Sequence, residues 1–301
     1  MEREDGRAAV GIIGGSGLYR IEGLEDARSV AVTTPFGDPS DPVVVGVLEG
    51  RRVCFLPRHG GGHRMLPHEI NHRANLWALR SLGVRWLISI SAVGSLREWI
   101  RPLDLLVPDQ LIDRTGTGAK HTFFGNGIAA HVGFADPYCS DLRSVLVEAA
   151  REEAGAVHDG GAYLCMNGPA FSTRAEAAMH RASTDAAVIG MTNAPEARLA
   201  REAEIAAATL ALVTDYDCWK TDQKPVDAGE VIANLARNTD LAKRVLKRAV
   251  AMVPEVPGSA AHGSLDGAIY TDPALWPEQT VGNLRPILGR FLQGRSGGDS
   301  A

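Results

Sequence analysis

Short apolar runs recur along this chain, and between them lie longer stretches whose apolar residues fall three and four positions apart. A run of about four to eight apolar residues suits a buried strand, whereas the wider spacing makes one apolar face of a helix. Residues 9–13, 43–47, 53–56, 86–90, 105–107, 162–166, 186–190 and the long run 206–214 read as strands. The segment 69–82 reads as a helix, with Ile70, Ala74, Trp77, Ala78 and Leu82 on one face. Further helices are expected at 140–154, 174–182, 195–203, 227–252 and 281–292. This alternation confines the chain to an α/β fold: a single domain over 8–293 with a central mixed β-sheet flanked by helices, and a flexible tail at 294–301. The Gly- and Thr-rich stretch 115–130 is expected to form a loop over a site.

With 301 residues, 45% of them hydrophobic, the chain can bury one large core. Its formal charge is −5, from 31 basic and 36 acidic residues, which speaks against a nucleic-acid partner. The first residues, MEREDGRAAVGIIGG, lack the basic and then apolar pattern of a secretory leader. No window of about 18 apolar residues predicts a membrane span. Cys54, Cys139, Cys165 and Cys218 are widely spaced, without a CxxC pair, and read as reduced thiols of a cytoplasmic protein.

Chemistry-bearing residues cluster at strand ends. Gly14-Gly15-Ser16-Gly17 follows a strand and can offer backbone N–H groups and a hydroxyl to an anion, or serve only as a turn. It lacks the Gly-Lys-Ser/Thr of a phosphate-binding loop and the spacing of a dinucleotide fingerprint. In Arg58-His59-Gly60-Gly61-Gly62-His63 a guanidinium can grip phosphate through two N–H groups beside glycines that let backbone approach. A metal site from His59, His63, His68 and His72 has poorly placed carboxylate partners. Ser91-Ala92-Val93-Gly94-Ser95 and Met191-Thr192-Asn193 end strands where α/β proteins bind ligands. Thr192 can cap the next helix or bind phosphate at its N-terminus. Asp215 and Asp217 close the longest apolar run. Two residues apart on a strand they would face one way, and two carboxylates that close resist joint ionisation.

The motifs GIIGGSGLY, TPFGDPSD, LPRHGGGHRMLPHEINHRANLWAL, SAVGSLREWIRPLDLLVPDQLIDRT, GPAFSTRAE, MTNAPEARLAREAEI and TDYDCW stand in order along the chain. Through them, from about Val10 to Val253, it resembles the methylthioadenosine phosphorylases of the trimeric purine nucleoside phosphorylase superfamily. The resemblance implies that Ser16, Arg58, His59, Ser91, Ala92 and Thr192 bind phosphate. It implies that Met191 contacts ribose and that Ser172, Asp215 and Asp217 meet the base. His131 resembles a histidine that lines the pocket for the 5′-substituent, often from a neighbouring subunit, and Ala228 matches a position shaping the same pocket. Three departures stand out: Asn167 replaces a common glutamate, Ala170 a common arginine, and Gly61 the arginine of the RHG motif.

The expected activity is that of a pentosyltransferase. Inorganic phosphate, a co-substrate, attacks C1′ of methylthioadenosine while Asp215 and Asp217 stabilise the charge building on adenine, with no metal or organic cofactor. The family implies a homotrimer or a dimer of trimers. A 6-oxopurine or methylthioinosine phosphorylase, a hydrolase and a non-catalytic nucleoside sensor are the competing readings. A nicotinamide-dependent reductase is disfavoured by the missing fingerprint.

Overall fold

A computed structural model of the chain describes residues 9–15, 23–116, 121–220 and 228–292. Strand β1 (Ala9–Gly14) is buried along its whole length. It is followed by β2 (Glu25–Val30), β3 (Val43–Leu48) and β4 (Arg51–Pro57). The β3–β4 hairpin turns at Glu49 and Gly50, both at positive φ (50° and 69°), as the tightest hairpin turns require. Strand β2 is absent from the sequence reading. Its residues EDARSV are charged and mostly exposed, because it is an edge strand held through its backbone to β3.

Helix α1 (His72–Ser81) starts later than the periodicity implies, since the Asn71 side chain caps it by accepting from Ala74 N–H at 3.2 Å. The next strand, β5 (Val84–Ser95), runs past the expected end at residue 90, so Ser91–Ser95 belong to the strand itself. Then come β6 (Leu105–Val107), β7 (Gln110–Asp113), α2 (Ser140–Glu153), β8 (Val157–Asp159) and β9 (Ala162–Cys165). They are followed by α3 (Arg174–Ser183), β10 (Ala186–Gly190), α4 (Asn193–Glu202), β11 (Ala206–Asp215) and α5 (Ala228–Met252). The closing helix expected at 281–292 is instead two short pieces, α6 (Glu278–Asn283) and α7 (Arg285–Leu288), with a 3-10 turn after them. Pro286 lacks the N–H that a continuous helix would use, so the chain restarts there.

Among the described residues the strands form one mixed sheet in the order β2-β3-β4-β1-β5-β10-β9-β7. It forks at β5, which also pairs in parallel with β11, and β11 continues to β6 and β8. The first part of β5 lies between β1 and β11, whereas Gly94 and Ser95 at its end pair antiparallel with β10. Alternate residues of β1, β5 and β11 point to opposite faces. Val10, Ile12 and Ile88 pack under α2 and α5 with Leu146, Val245 and Leu246. Ala9, Ile13 and Leu87 pack under α1, α4 and α7 with Leu76, Leu199 and Ile287. The sheet is therefore covered on both sides, which is why its central strands read as unbroken apolar runs. No described helix is long and apolar enough to cross a membrane, and all four cysteines are free thiols.

Candidate functional site

The carboxyl ends of β1, β4, β10 and β11 meet the curved end of β5 around a cavity of about 650 Å³. Its wall brings together Arg58, His59, Ser91, Ala92, Met191, Thr192, Ser172, Asp215 and Asp217, residues drawn from five separated stretches of the chain. Gly15 lines the same end, while Ser16 lies outside the described residues.

At that end Arg58 is almost wholly buried (1% exposed). Its Nε donates to Glu196 Oε1 at 2.6 Å and its Nη2 to Glu196 Oε2 at 2.9 Å, while Nη1 donates to the Ile90 carbonyl at 2.6 Å. The two-pronged grip foreseen for phosphate is thus already taken by a carboxylate, which leaves the second N–H of Nη1 for a ligand. Gly15 faces this atom: a Cβ there would sit 3.4 Å from Nη1. Glu196 itself is buried, which alone would raise its pKa, yet the adjoining Arg58 guanidinium holds it below the usual carboxylate range.

His59 stacks on His63 with ring centroids 4.2 Å apart. Its Nδ1 lies 2.8 Å from the Met65 carbonyl, which can only accept, so Nδ1 carries the proton. Burial, reinforced by Arg58, lowers its pKa to about 4. The ring is therefore neutral near pH 7 and Nε2 is an acceptor, suited to a protonated oxygen of the ligand. Ser91 Oγ pairs with the hydroxyl of fully buried Tyr163 at 2.9 Å. Thr192 occupies the N-cap position of α4, but its hydroxyl makes no capping bond, so of the two roles open to it the capping one is not used. That hydroxyl and the helix N-terminus both suit an anion.

The other end of the cavity holds the two aspartates. Both are buried, at 9% and 8% exposure, which excludes a solvated surface turn. They are not a strand pair facing one way. Asp215 is the last residue of β11, and Asp217 lies in the turn beyond at φ 52°, a left-handed conformation that aspartate tolerates. The turn folds back so that Asp217 N–H donates to Asp215 Oδ1 at 2.7 Å, while the Thr214 hydroxyl donates to Asp215 Oδ2 at 2.7 Å. Asp215 sits against Gly94, where a Cβ would come within 2.9 Å of its Oδ1; a larger residue there would displace the carboxylate. The Tyr216 hydroxyl donates to the Glu98 carbonyl and Trp219 Nε1 to the Ser95 carbonyl, which pins the turn from its other side.

Asp217 Oδ2 is buried and has no hydrogen-bond partner among the described residues. Burial, and then the Asp215 charge, raises the Asp217 pKa to about 6, with the Ser172 hydroxyl holding back part of the rise. The pair can therefore accept one hydrogen bond and supply one proton near neutral pH.

Between these ends Met191 packs against Gly168, where a Cβ would meet its sulfur at 2.3 Å. Ile232, Leu235, Ala236 and Thr239 of α5 complete a largely apolar wall. Asn234 and Asn238 of the same helix donate to the carbonyls of Thr214 and Val213, which ties α5 to the strand that ends at the aspartates. Ala228 opens α5, and its side chain lies outside the described residues.

His131 does not line this cavity. It is exposed, edge-on to the exposed ring of Tyr270 at 5.3 Å. The described part of the 115–130 stretch does not cover the cavity either; Phe123, Phe124 and Ile128 pack with Trp276 and Leu284. Residues 117–120 lie outside the described residues. Asn167 and Ala170 are exposed and outside the wall, and the exposed Gly61 donates its N–H to Asp41 at 2.5 Å. No group of three His, Cys, Asp or Glu among the described residues is arranged to hold a metal ion. Glu196, Ser89, Tyr163 and the α5 side chains escaped the sequence reading. Glu196 alone left a trace, an acidic residue in the APEAR segment that directly follows Thr192 and Asn193.

The family model described as the phosphorylase superfamily matches residues 9–251. The chain is 51% identical to the S-methyl-5′-thioadenosine phosphorylase of Geobacter sulfurreducens over 283 residues, covering 94% of this chain and 99% of that one. It is 51% identical to the enzyme of that name from Hyperthermus butylicus over 254 residues, covering 84% and 92%. Its fold is similar to the crystal structure of a methylthioadenosine phosphorylase from an antarctic soil metagenomic library, with a TM-score of 0.88, 48% identity and coverage of 94% and 99%. A Schistosoma mansoni methylthioadenosine phosphorylase in complex with adenine superposes with a TM-score of 0.76 at 33% identity, covering 94% and 98%.

Proposed function

The chain belongs to the phosphorylase superfamily and, within it, to the S-methyl-5′-thioadenosine phosphorylases, and on that premise we propose that it cleaves S-methyl-5′-thioadenosine with inorganic phosphate. The products are adenine and 5-methylthioribose 1-phosphate, a salvage reaction of purine and methionine metabolism. One observation carries this reading: a single cavity has anion donors at one end, a buried carboxylate pair at the other and an apolar wall from α5 beside them.

Phosphate rests against Arg58 Nη1–H, the Ser91 and Thr192 hydroxyls, the Ala92 backbone and the N-terminus of α4, with Nε2 of His59 accepting from its protonated oxygen. Ser16 adds a further hydroxyl. Met191 supports the ribose. A phosphate oxygen forms a bond to C1′ as the C1′–N9 bond breaks, and the electron pair goes to the purine. The Asp215–Asp217 pair meets that charge: Asp215 bonds or protonates N7, Asp217 accepts from the exocyclic amino group, and the proton belongs to the pair. A donor preorganised for charge that develops in the transition state contributes roughly 2.7–4 kcal/mol. Phosphate is a co-substrate, and no other cofactor enters the reaction.

An ionised carboxylate cannot donate to a 6-oxo group, so adenine nucleosides are preferred. The exposed position of Asn167 supports no role for it at the purine ring. The exposed His131 fits a role in the 5′-pocket of a neighbouring copy, within a homotrimer or a dimer of trimers of a cytoplasmic enzyme. A fully active monomer in sedimentation would remove that part. The decisive assay is release of base from methylthioadenosine, adenosine, methylthioinosine and inosine, with and without phosphate. Phosphate-dependent release of adenine, fastest from methylthioadenosine, is expected. Base release without phosphate points to a hydrolase, binding without product to a sensor, and equal use of methylthioinosine overturns the role given to the aspartates.

A further inference from the structure

Glu196 stands behind the phosphate end of the cavity and touches none of the space a substrate would fill. It sits in the first turn of α4 at 2% exposure, with both carboxylate oxygens engaged. Oε1 accepts from Arg58 Nε, while Oε2 accepts from Arg58 Nη2 and from the Ser89 hydroxyl at 2.6 Å. Ser89 Oγ also accepts from Arg58 Nη2 at 2.8 Å, so the three side chains form a closed triangle. His72 Nδ1 lies 3.8 Å from Glu196 Oε1 and has no hydrogen-bond partner among the described residues.

A buried ion pair gives little net stability over apolar side chains of similar volume, so stability alone does not account for this arrangement. Its geometric effect is specific. Two of the three guanidinium nitrogens are fixed to Glu196, Nη1 is braced on the Ile90 carbonyl, and Nη1, with one N–H left over, is the atom nearest to where a Gly15 Cβ would sit in the cavity wall.

We propose that Glu196 is the positioning residue of the phosphate subsite: with Ser89 it clamps Arg58 so that one guanidinium N–H is aimed at the incoming phosphate. The inference rests on the reading that this end of the cavity takes phosphate. It separates two effects of opposite sign. If Glu196 served mainly to cancel the Arg58 charge, its neutralisation would strengthen phosphate binding. If it aims the guanidinium, its neutralisation weakens phosphate binding, because an amide offers one acceptor where the fork needs two.

The test is steady-state kinetics of Glu196→Gln with phosphate and nucleoside varied independently. The KM for phosphate is expected to rise about tenfold, the effect of losing one charge-assisted hydrogen bond, and the nucleoside KM to stay within about twofold. Glu196→Asp, which keeps a carboxylate, should recover part of the phosphate KM. Should Glu196→Gln fail to fold, Ser89→Ala decides, with the same selective rise at about threefold. A fall in the phosphate KM, a parallel shift of both KM values, or a lowered melting temperature with unmoved KM values overturns the proposal. A wild-type enzyme that needs no phosphate removes the underlying reading instead, so the two failures are distinguishable.

Discussion

The two ends of the cavity solve the problem of burying charge in opposite ways. At the phosphate end the charge is cancelled before any ligand arrives: Arg58 is matched by Glu196, and His59 and His72 are held neutral by burial. At the base end two carboxylates lie side by side, joined by the Asp217 N–H that donates to Asp215 Oδ1, and Asp217 has its pKa raised to about 6. The first arrangement is rigid and resists titration. The second keeps a proton that can move near physiological pH. In the proposed mechanism the phosphate end supplies position, and the aspartates supply a response to charge developing on the leaving base.

The most forceful way to break this contrast is to remove the cation. Arg58→Met leaves the Glu196 carboxylate buried without its partner, and a loss of about 3–5 kcal/mol in urea unfolding is expected. Most of that loss should return in the double variant Arg58→Met, Glu196→Leu. A single variant as stable as the wild type would show that the phosphate end is not electrostatically self-contained.

Next in size is Asp215→Asn. Its kcat/KM on methylthioadenosine should fall about 10²–10³-fold, and that on methylthioinosine should fall as well, since N7 is common to both bases. An unaltered rate on the adenine substrate would sink the division between the two ends.

The smallest effect concerns pH. The Asp217 pKa is about 6 in the fold, above the ordinary aspartate value of 3.8, so the folded state holds the proton more tightly than the unfolded chain. That contribution to stability is complete below 3.8 and is lost as pH rises through 6. Asp217→Asn has no such proton to lose. Its unfolding free energy should therefore gain on that of the wild type between pH 4 and 6 by about 1–3 kcal/mol and then hold level. A constant difference across that range would place Asp217 in a more polar setting than its burial implies.

Much of the fold was legible because buried parallel strands announce themselves: the run 206–214 became β11 almost to the residue. Strand β2 was not, since its stability comes from backbone bonds to β3 and its side chains EDARSV carry no apolar pattern. The single closing helix expected at 281–292 is two pieces in the chain, because Pro286 suits the first turn of a new helix and not the interior of a continuous one. Motifs singled out Arg58, Ser91, Thr192, Asp215 and Asp217, which line one cavity.

What the sequence determined by itself is the set of chemical groups and the strand ends that carry them. Residue type, apolar run length and local glycine content act over a few neighbours, and a linear reading captures them. What only the tertiary structure decided is how those groups are partnered. Glu196 lies 138 residues from Arg58, and their contact exists because α4 packs against β5, which carries Ser89, and so meets Arg58 just past the end of β4. That contact turned a two-pronged phosphate grip into a single aimed N–H. Likewise the turn at Asp217 replaced two carboxylates facing one way with a carboxylate bonded to its neighbour's backbone. Burial and partnership are properties of the packed chain, and they set the charge, the proton and the direction of each group.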